Sequence, residues 1–119
     1  MRKLTEAECR AIMEQGEGDA DLTAGPAAAI ILTQSWCPQW KAMKAYLAEV
    51  EAAVSGVKIY YAEYDIEDWK DLEREAFMTF KEDHFNNREI PYVRYYRNGV
   101  FAAESNYVAA EGFIARLGG

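Results

Sequence analysis

The sequence predicts an α/β fold, a four-stranded mixed β-sheet with helices on both faces in the order α-β-α-β-α-β-β-α. Three observations carry that prediction. Ala27–Thr33 is a continuous apolar run bounded by turn residues, the pattern of a strand buried on both faces of a sheet. Trp40, Met43, Leu47, Val50 and Val54 follow in alternating steps of three and four, which places one apolar stripe on one helix. Two strand-like runs, Tyr92–Arg97 and Val100–Glu104, flank Asn98-Gly99, a pair suited to the positive φ angles of a two-residue hairpin turn.

The remaining elements follow in chain order. Thr5 and Glu8 form a capping box, and Leu4, Ala7, Ala11 and Ile12 recur at helical spacing, so a first helix is predicted over Thr5–Gln15. The Gly- and Asp-rich segment Gly16–Pro26 ends it. The striped helix begins at Cys37-Pro38. Val57–Tyr64, rich in β-branched and aromatic residues, reads as a second strand ended by Asp65. Trp69, Leu72, Ala76, Phe77 and Phe80 predict a third helix with Asp68 as its N-cap. A polar loop through Asn87 then leads to Pro91 and the hairpin, and a last helix is predicted over about Val108–Leu117. Strands joined through helices can pair in parallel, whereas the hairpin adds an antiparallel strand. Ala27–Thr33 is expected at the centre, between Val57–Tyr64 and Tyr92–Arg97, with the last strand at an edge.

Composition narrows the partners. With 119 residues the chain is read as one domain over 1–119, large enough to build a core without disulfide or metal staples. A net charge of -7 opposes contact with phosphate backbones and anionic lipid, so neither nucleic acid nor a membrane is an expected partner. Met1-Arg2-Lys3 runs straight into polar residues, and the longest small or apolar run, Ala27–Leu32, is far short of a membrane span. A cytoplasmic location is expected. There, Cys9 and Cys37 are read as free thiols rather than a bridge.

At the predicted strand-to-helix junction stands Ser35-Trp36-Cys37-Pro38-Gln39-Trp40; Ile90-Pro91 and Arg97-Asn98-Gly99 follow downstream. In these three motifs, over about Ala27–Gly119, the chain resembles the thioredoxin family, which places Trp-Cys-x-x-Cys at that junction. A thioredoxin-like fold is therefore expected. The position of Cys37 has its own physical meaning: at a helix N-cap, unpaired N–H groups and the positive end of the helix dipole favour thiolate over thiol, and the thiolate is the nucleophile. Pro38 suits the first helical turn, where its missing N–H has no partner to lose. The resemblance implies that the Ile90–Pro91 bond is cis, that Ile90, Pro91 and Tyr92 form a substrate platform beside Cys37, and that Trp36 lies on the surface as a partner contact.

The departures from the family pattern matter equally. Trp40 stands where the family has its second, resolving cysteine, so the motif cannot close a disulfide within itself. Ile31 replaces a buried aspartate used in proton transfer, and Glu63 stands where a lysine is common; Glu63 and the acidic surface oppose the thiolate preference of the helix start. Tyr107 replaces a glycine bordering the substrate groove. The expected catalytic residue is Cys37, read as a solvent-accessible thiol, with Trp36, Pro38, Ile90, Pro91, Tyr92 and Tyr107 as substrate-binding residues.

Other residues read as structural. Cys9 is expected to be an inert core thiol. His84, the only histidine, lies in the predicted polar loop and has too few neighbours of the right kind for a metal site; no metal or cofactor is expected. Glu63, Asp65, Glu67 and Asp68 read as a solvated strand end and helix start. Arg94, in the middle of an apolar strand, must snorkel or pair with a carboxylate. The leading functional expectation is a thiol-disulfide oxidoreductase lacking the resolving cysteine: Cys37 attacks a protein disulfide or a glutathione adduct, and an external thiol resolves the mixed disulfide. The alternatives are a non-catalytic peptide- or protein-binding module using the same groove, and an assembly role in which Cys37 links two copies.

Overall fold

A computed structural model of the chain describes residues 1–118. Its elements are β1 (Arg2–Lys3), α1 (Glu6–Gln15), α2 (Ala20–Thr23), β2 (Ala27–Thr33), α3 (Pro38–Ala53), β3 (Val57–Glu63), α4 (Arg74–His84), β4 (Tyr92–Arg97), β5 (Val100–Ser105) and α5 (Ala110–Arg116). The strands form one sheet in the order β1-β3-β2-β4-β5. β2 runs parallel to β3 and antiparallel to β4, and all seven of its residues are buried.

The pleat of β2 divides the core in two. Ala28, Ile30 and Leu32 face α1 and α4, where they meet Cys9, Ile12 and Phe77. Ala27, Ala29 and Ile31 face α3 and α5, where they meet Trp40, Met43, Leu47, Val50 and Phe113. Fully burying each larger apolar side chain contributes about 1.5–3 kcal/mol, so the central strand draws stabilisation from both layers. The striped helix is thus explained: its apolar face covers one side of the sheet.

Local chemistry sets the element ends. Thr5 accepts the N–H of Glu8 while the Glu8 carboxylate accepts the N–H of Thr5, and Gly16, at φ 70°, closes α1 in a left-handed conformation that favours glycine. Asn98 and Gly99 turn the β4–β5 hairpin at φ 52° and 80°. The Ile90–Pro91 bond is cis.

The structure departs from the sequence prediction in three places. The sheet has five strands, not four: Arg2–Lys3 pairs in parallel with Tyr60–Tyr61, and two charged residues are too short a stretch to show strand periodicity. The segment expected only to break the chain contains α2, capped by the Asp19 carboxylate on the N–H of Asp21. The third helix starts at Arg74 with Glu73 as N-cap, not at Asp68. The cause is Glu6, whose carboxylate accepts the N–H groups of Lys70, Asp71 and Leu72 at 3.1, 2.7 and 2.7 Å and holds them in a loop. Trp69 and Leu72 still pack on the core. Among the described residues, no helix is long and apolar enough to cross a membrane.

Candidate functional site

β2 ends at Thr33, and the turn Gln34–Trp36 carries the chain to Cys37, the N-cap of α3, with Pro38 in the first helical turn. Asp65, just past β3, fixes that turn by accepting the Ser35 N–H at 2.7 Å and the Ser35 hydroxyl at 2.6 Å. Gln34 Oε1 accepts the indole N–H of Trp36 at 2.6 Å, which holds an aromatic ring that is 60% exposed. An exposed ring tethered at its polar edge presents its apolar face at little further entropic cost.

The Cys37 side chain does not cap the helix. Its Sγ lies 3.7 Å from the carbonyl oxygen of Ile90, so the thiol is turned toward the Ile90–Pro91 loop, and the residue is only 4% exposed. The expected open thiol is therefore covered, because the loop that the family resemblance put beside Cys37 packs against it. Cys37 also joins the apolar layer of Ile31, Trp40 and Val93.

One turn into α3, Trp40 is wholly buried, and its indole N–H donates to Glu63 Oε2 at 2.8 Å. Lys44 reaches the same oxygen at 3.8 Å and lies over the Trp40 and Tyr61 rings. Ile31, fully buried, offers no polar atom to the apolar layer that Cys37 joins. Cys9 belongs to the opposite apolar layer, and burial pushes its thiol up to about 12, with Glu67, Glu8 and Glu6 adding to the shift. Both cysteines are free.

On the far side of the thiol, the structure brings together the Ile90–Pro91 loop, Tyr92 and the end of β5. Ile90 is part-buried and packs on both layers, Pro91 and Tyr92 are buried, and Tyr107 is 44% exposed. Tyr92 points away from Cys37 into the α1–α4 layer, where its hydroxyl accepts from Arg94 at 2.8 Å; this makes it a core residue rather than a groove surface. Trp36 and Tyr107 are both exposed, as is Pro38, two residues after Trp36.

The carbonyls of the loop are held by side chains that sequence reasoning passed over. Lys81, fully buried on α4, donates to the Glu89 carbonyl at 2.5 Å. Asn106, after β5, donates to the carbonyls of Glu89 at 3.3 Å and Pro91 at 3.0 Å, and exchanges hydrogen bonds with the Asn87 side chain. A signal for Lys81 existed: it stands four residues after Phe77, on the buried face of the same helix.

Two other expectations are revised, for His84 and the acidic cluster, and one, for Arg94, is met. His84 is not in a loop: it ends α4, stacks on Phe80 and bonds the Gly16 carbonyl through Nε2 at 2.8 Å. The acidic cluster is not a uniformly solvated strand end, since Glu63 and Glu67 are buried, Glu67 is paired with Lys3 at 3.2 Å, and only Asp68 is open to solvent. Arg94 finds its carboxylate in Glu17, at 2.5 Å, between the rings of Phe85 and Phe101.

A mixed sheet with a central β2, helices on both faces, a cysteine at the α3 N-cap and a cis-proline loop against its thiol define a thioredoxin-like α/β fold. Solved structures agree with that class: thioredoxin O2 from Arabidopsis thaliana in its oxidised state superposes with a TM-score of 0.64 at 18% identity, covering 95% of this chain and 87% of that one. A designed protein superposes with a TM-score of 0.58 at 13% identity, covering 82% and 78%. No protein-family model and no curated protein sequence matches the chain.

Proposed function

We propose that the chain is a monothiol thioredoxin-like protein that performs thiol-disulfide exchange through Cys37. The observation that carries the reading is the pairing of a helix-N-cap thiol with an adjacent Ile90–Pro91 loop, while the next turn of α3 is filled by the buried Trp40. The Cys37 sulfur, at the start of α3, supplies the nucleophile once its proton has left. In the forward step the Cys37 thiolate attacks one sulfur of a protein disulfide or glutathione adduct, a new S–S bond forms, and the other sulfur leaves as a thiolate. With Trp40 in place of a second cysteine and Cys9 in the opposite layer, resolution falls to an external thiol, which attacks the mixed disulfide and returns Cys37 as thiolate. Trp36, Pro38, Ile90, Pro91 and Tyr107 would border the substrate, and Tyr92 would support the loop from beneath.

A second reading is favoured by one observation, the 4% exposure of Cys37 under the Ile90 carbonyl. A covered thiol, with Trp36 and Tyr107 left exposed, also suits a module that holds an extended peptide without chemistry.

Treatment of the folded protein with glutathione disulfide, followed by intact-mass and peptide mapping, separates the two. Exchange predicts one glutathione adduct on Cys37, removed by added thiol and missing in Cys37→Ser. A folded protein that takes up no adduct, yet modifies both cysteines once unfolded, supports the binding module instead.

A further inference from the structure

Each of the three carbonyls from Glu89 to Pro91 is met by a side chain from elsewhere in the fold: Lys81 and Asn106 on Glu89, Cys37 on Ile90, and Asn106 on Pro91. Three elements, the N-cap of α3, the body of α4 and the end of β5, thus converge on three consecutive peptide units. Two of these side chains are ordinary in such a place. A lysine with no exposed surface is not, because burying an ammonium is costly unless its position requires it.

We propose that Lys81 is a positioning residue: its buried ammonium, with Asn106, fixes the carbonyls of the Glu89–Pro91 loop and so sets how that loop lies against Cys37 and meets an extended substrate. The proposal deepens the exchange reading and rests on it for the substrate, but the clamp on the loop is measurable without any exchange activity.

The geometry makes the ammonium the link between layers. Lys81 is buried on α4 together with Phe77, and its Nζ sits 5.7 Å from the centre of the Tyr92 ring. From there it reaches the loop whose next residue, Ile90, contacts the thiol in the other layer. The charges around it are few. Glu82 on α4 and Glu89 in the loop favour the cation, whereas on β4 and β5 the charges of Arg94 and Glu104 meet at the Tyr92 hydroxyl rather than at Lys81. Burial outweighs Glu82 and Glu89 and brings the ammonium down to about 8. A neutral amine still donates, but more weakly than an ammonium. The grip on Glu89 should loosen as that proton leaves.

The experiment compares wild type with Lys81→Met, which keeps the apolar stem and removes the nitrogen. The amide resonances of Glu89, Ile90 and Tyr92 are followed from pH 6 to pH 10, together with the Lys81 side-chain carbon next to its nitrogen. The clamp predicts a shared inflection near pH 8 that is missing in Lys81→Met, while amides of β2 stay in place. In parallel, exchange with a disulfide-bonded peptide should slow by about tenfold in Lys81→Met, whereas alkylation of Cys37 by iodoacetamide, which needs no docking, changes less than about twofold. Measurable peptide exchange at the same rate in the two proteins, or loop amides that ignore the Lys81 titration, overturns the proposal. If neither protein exchanges but the loop inflection is present, the exchange reading fails and the clamp stands. Should Lys81→Met not fold, the wild-type titration decides: coincidence of the Lys81 and loop inflections supports the clamp, and separate inflections refute it.

Discussion

The indole N–H of Trp40 donates to the Glu63 carboxylate at 2.8 Å across the α3–β3 interface, both residues lying in the protein interior. Two of the positions that depart from the thioredoxin pattern are therefore bonded to each other. Trp40 brings a donor that needs an acceptor when buried, and Glu63 brings a carboxylate that needs donors; Lys44, at 3.8 Å, supplies the remaining charge.

It follows that Trp40→Phe should cost stability out of proportion to the lost ring atoms. Phenylalanine keeps most of the packing but leaves Glu63 with Lys44 alone, and the loss of a hydrogen bond to a charged group is about 1.5–3 kcal/mol. A double-mutant cycle with Glu63→Gln, read by urea unfolding, checks the pairing: the two changes should be less than additive. Strict additivity would show that the bond contributes nothing.

Trp40→Cys should give a protein that closes an internal disulfide with Cys37 yet unfolds more readily. Position 40 lies three residues along α3 from Cys37, so the two side chains stand on neighbouring turns of one face. Removing the fully buried ring costs about 3–5 kcal/mol, and the orphaned Glu63 adds to that. The checks are thiol titration after oxidation and turnover on insulin disulfides relative to wild type. A folded, bridged variant without turnover would move the block from the missing thiol to Ile31, Glu63 or the Tyr107 side of the groove.

How far the sequence reaches depends on how local each cause is. The β4–β5 turn, the capping box of α1 and the buried β2 each depend on residues within a few positions, and each stands where the pattern put it. The start of α4 does not: Trp69 and Leu72 have helical spacing, but the carboxylate of Glu6, more than sixty residues upstream, captures the amides a helix would have used. The direction of the Cys37 thiol is likewise settled by the Ile90 carbonyl, 53 residues away. Lys81 lay between these cases, its place on the Phe77 face visible in the helical period but its partner, a backbone carbonyl, invisible to side-chain patterns.

Glu17→Gln should weaken the fold in a pH-dependent way. Arg94 is buried between Phe85 and Phe101 and donates to Glu17, Tyr92 and Tyr96. Burial raises the Glu17 carboxyl, but the Arg94 and Tyr96 hydrogen bonds overcome it and leave the group below its ordinary value. A carboxylate lowered in this way stabilises the fold at neutral pH and loses that contribution as the pH falls through its folded value. Removing one partner of a buried pair costs 3–5 kcal/mol; because Glu17 is 39% exposed, water can replace part of its role, and about 2 kcal/mol is expected at pH 7. Denaturant titrations of wild type and variant should converge at acid pH. A gap that persists unchanged at pH 3 would show that Glu17 acts through packing alone.

The last expectation concerns the cost of the buried ammonium. Burial lowers Lys81 from its ordinary 10.5 to about 8, against the opposing charges of Glu82 and Glu89. Between those two values the unfolded chain binds this proton and the folded chain releases it, so unfolding becomes less favourable as the pH rises. Below about pH 8 both states hold the proton and the penalty is constant; above 10.5 neither does and it is gone. Lys81→Met has no such group, while all other titrating groups are shared, so the stability of wild type relative to the variant isolates the lysine. That difference should be flat from pH 6 to 7 and climb in favour of wild type toward pH 10, by at most about 3 kcal/mol for a shift of this size. Urea unfolding at a series of pH values measures it. A difference that stays level across this range would mean that the Lys81 site is wetter than its packing implies, and one that falls would mean that the Glu89 carbonyl and the acidic neighbours hold the cation more strongly than burial repels it.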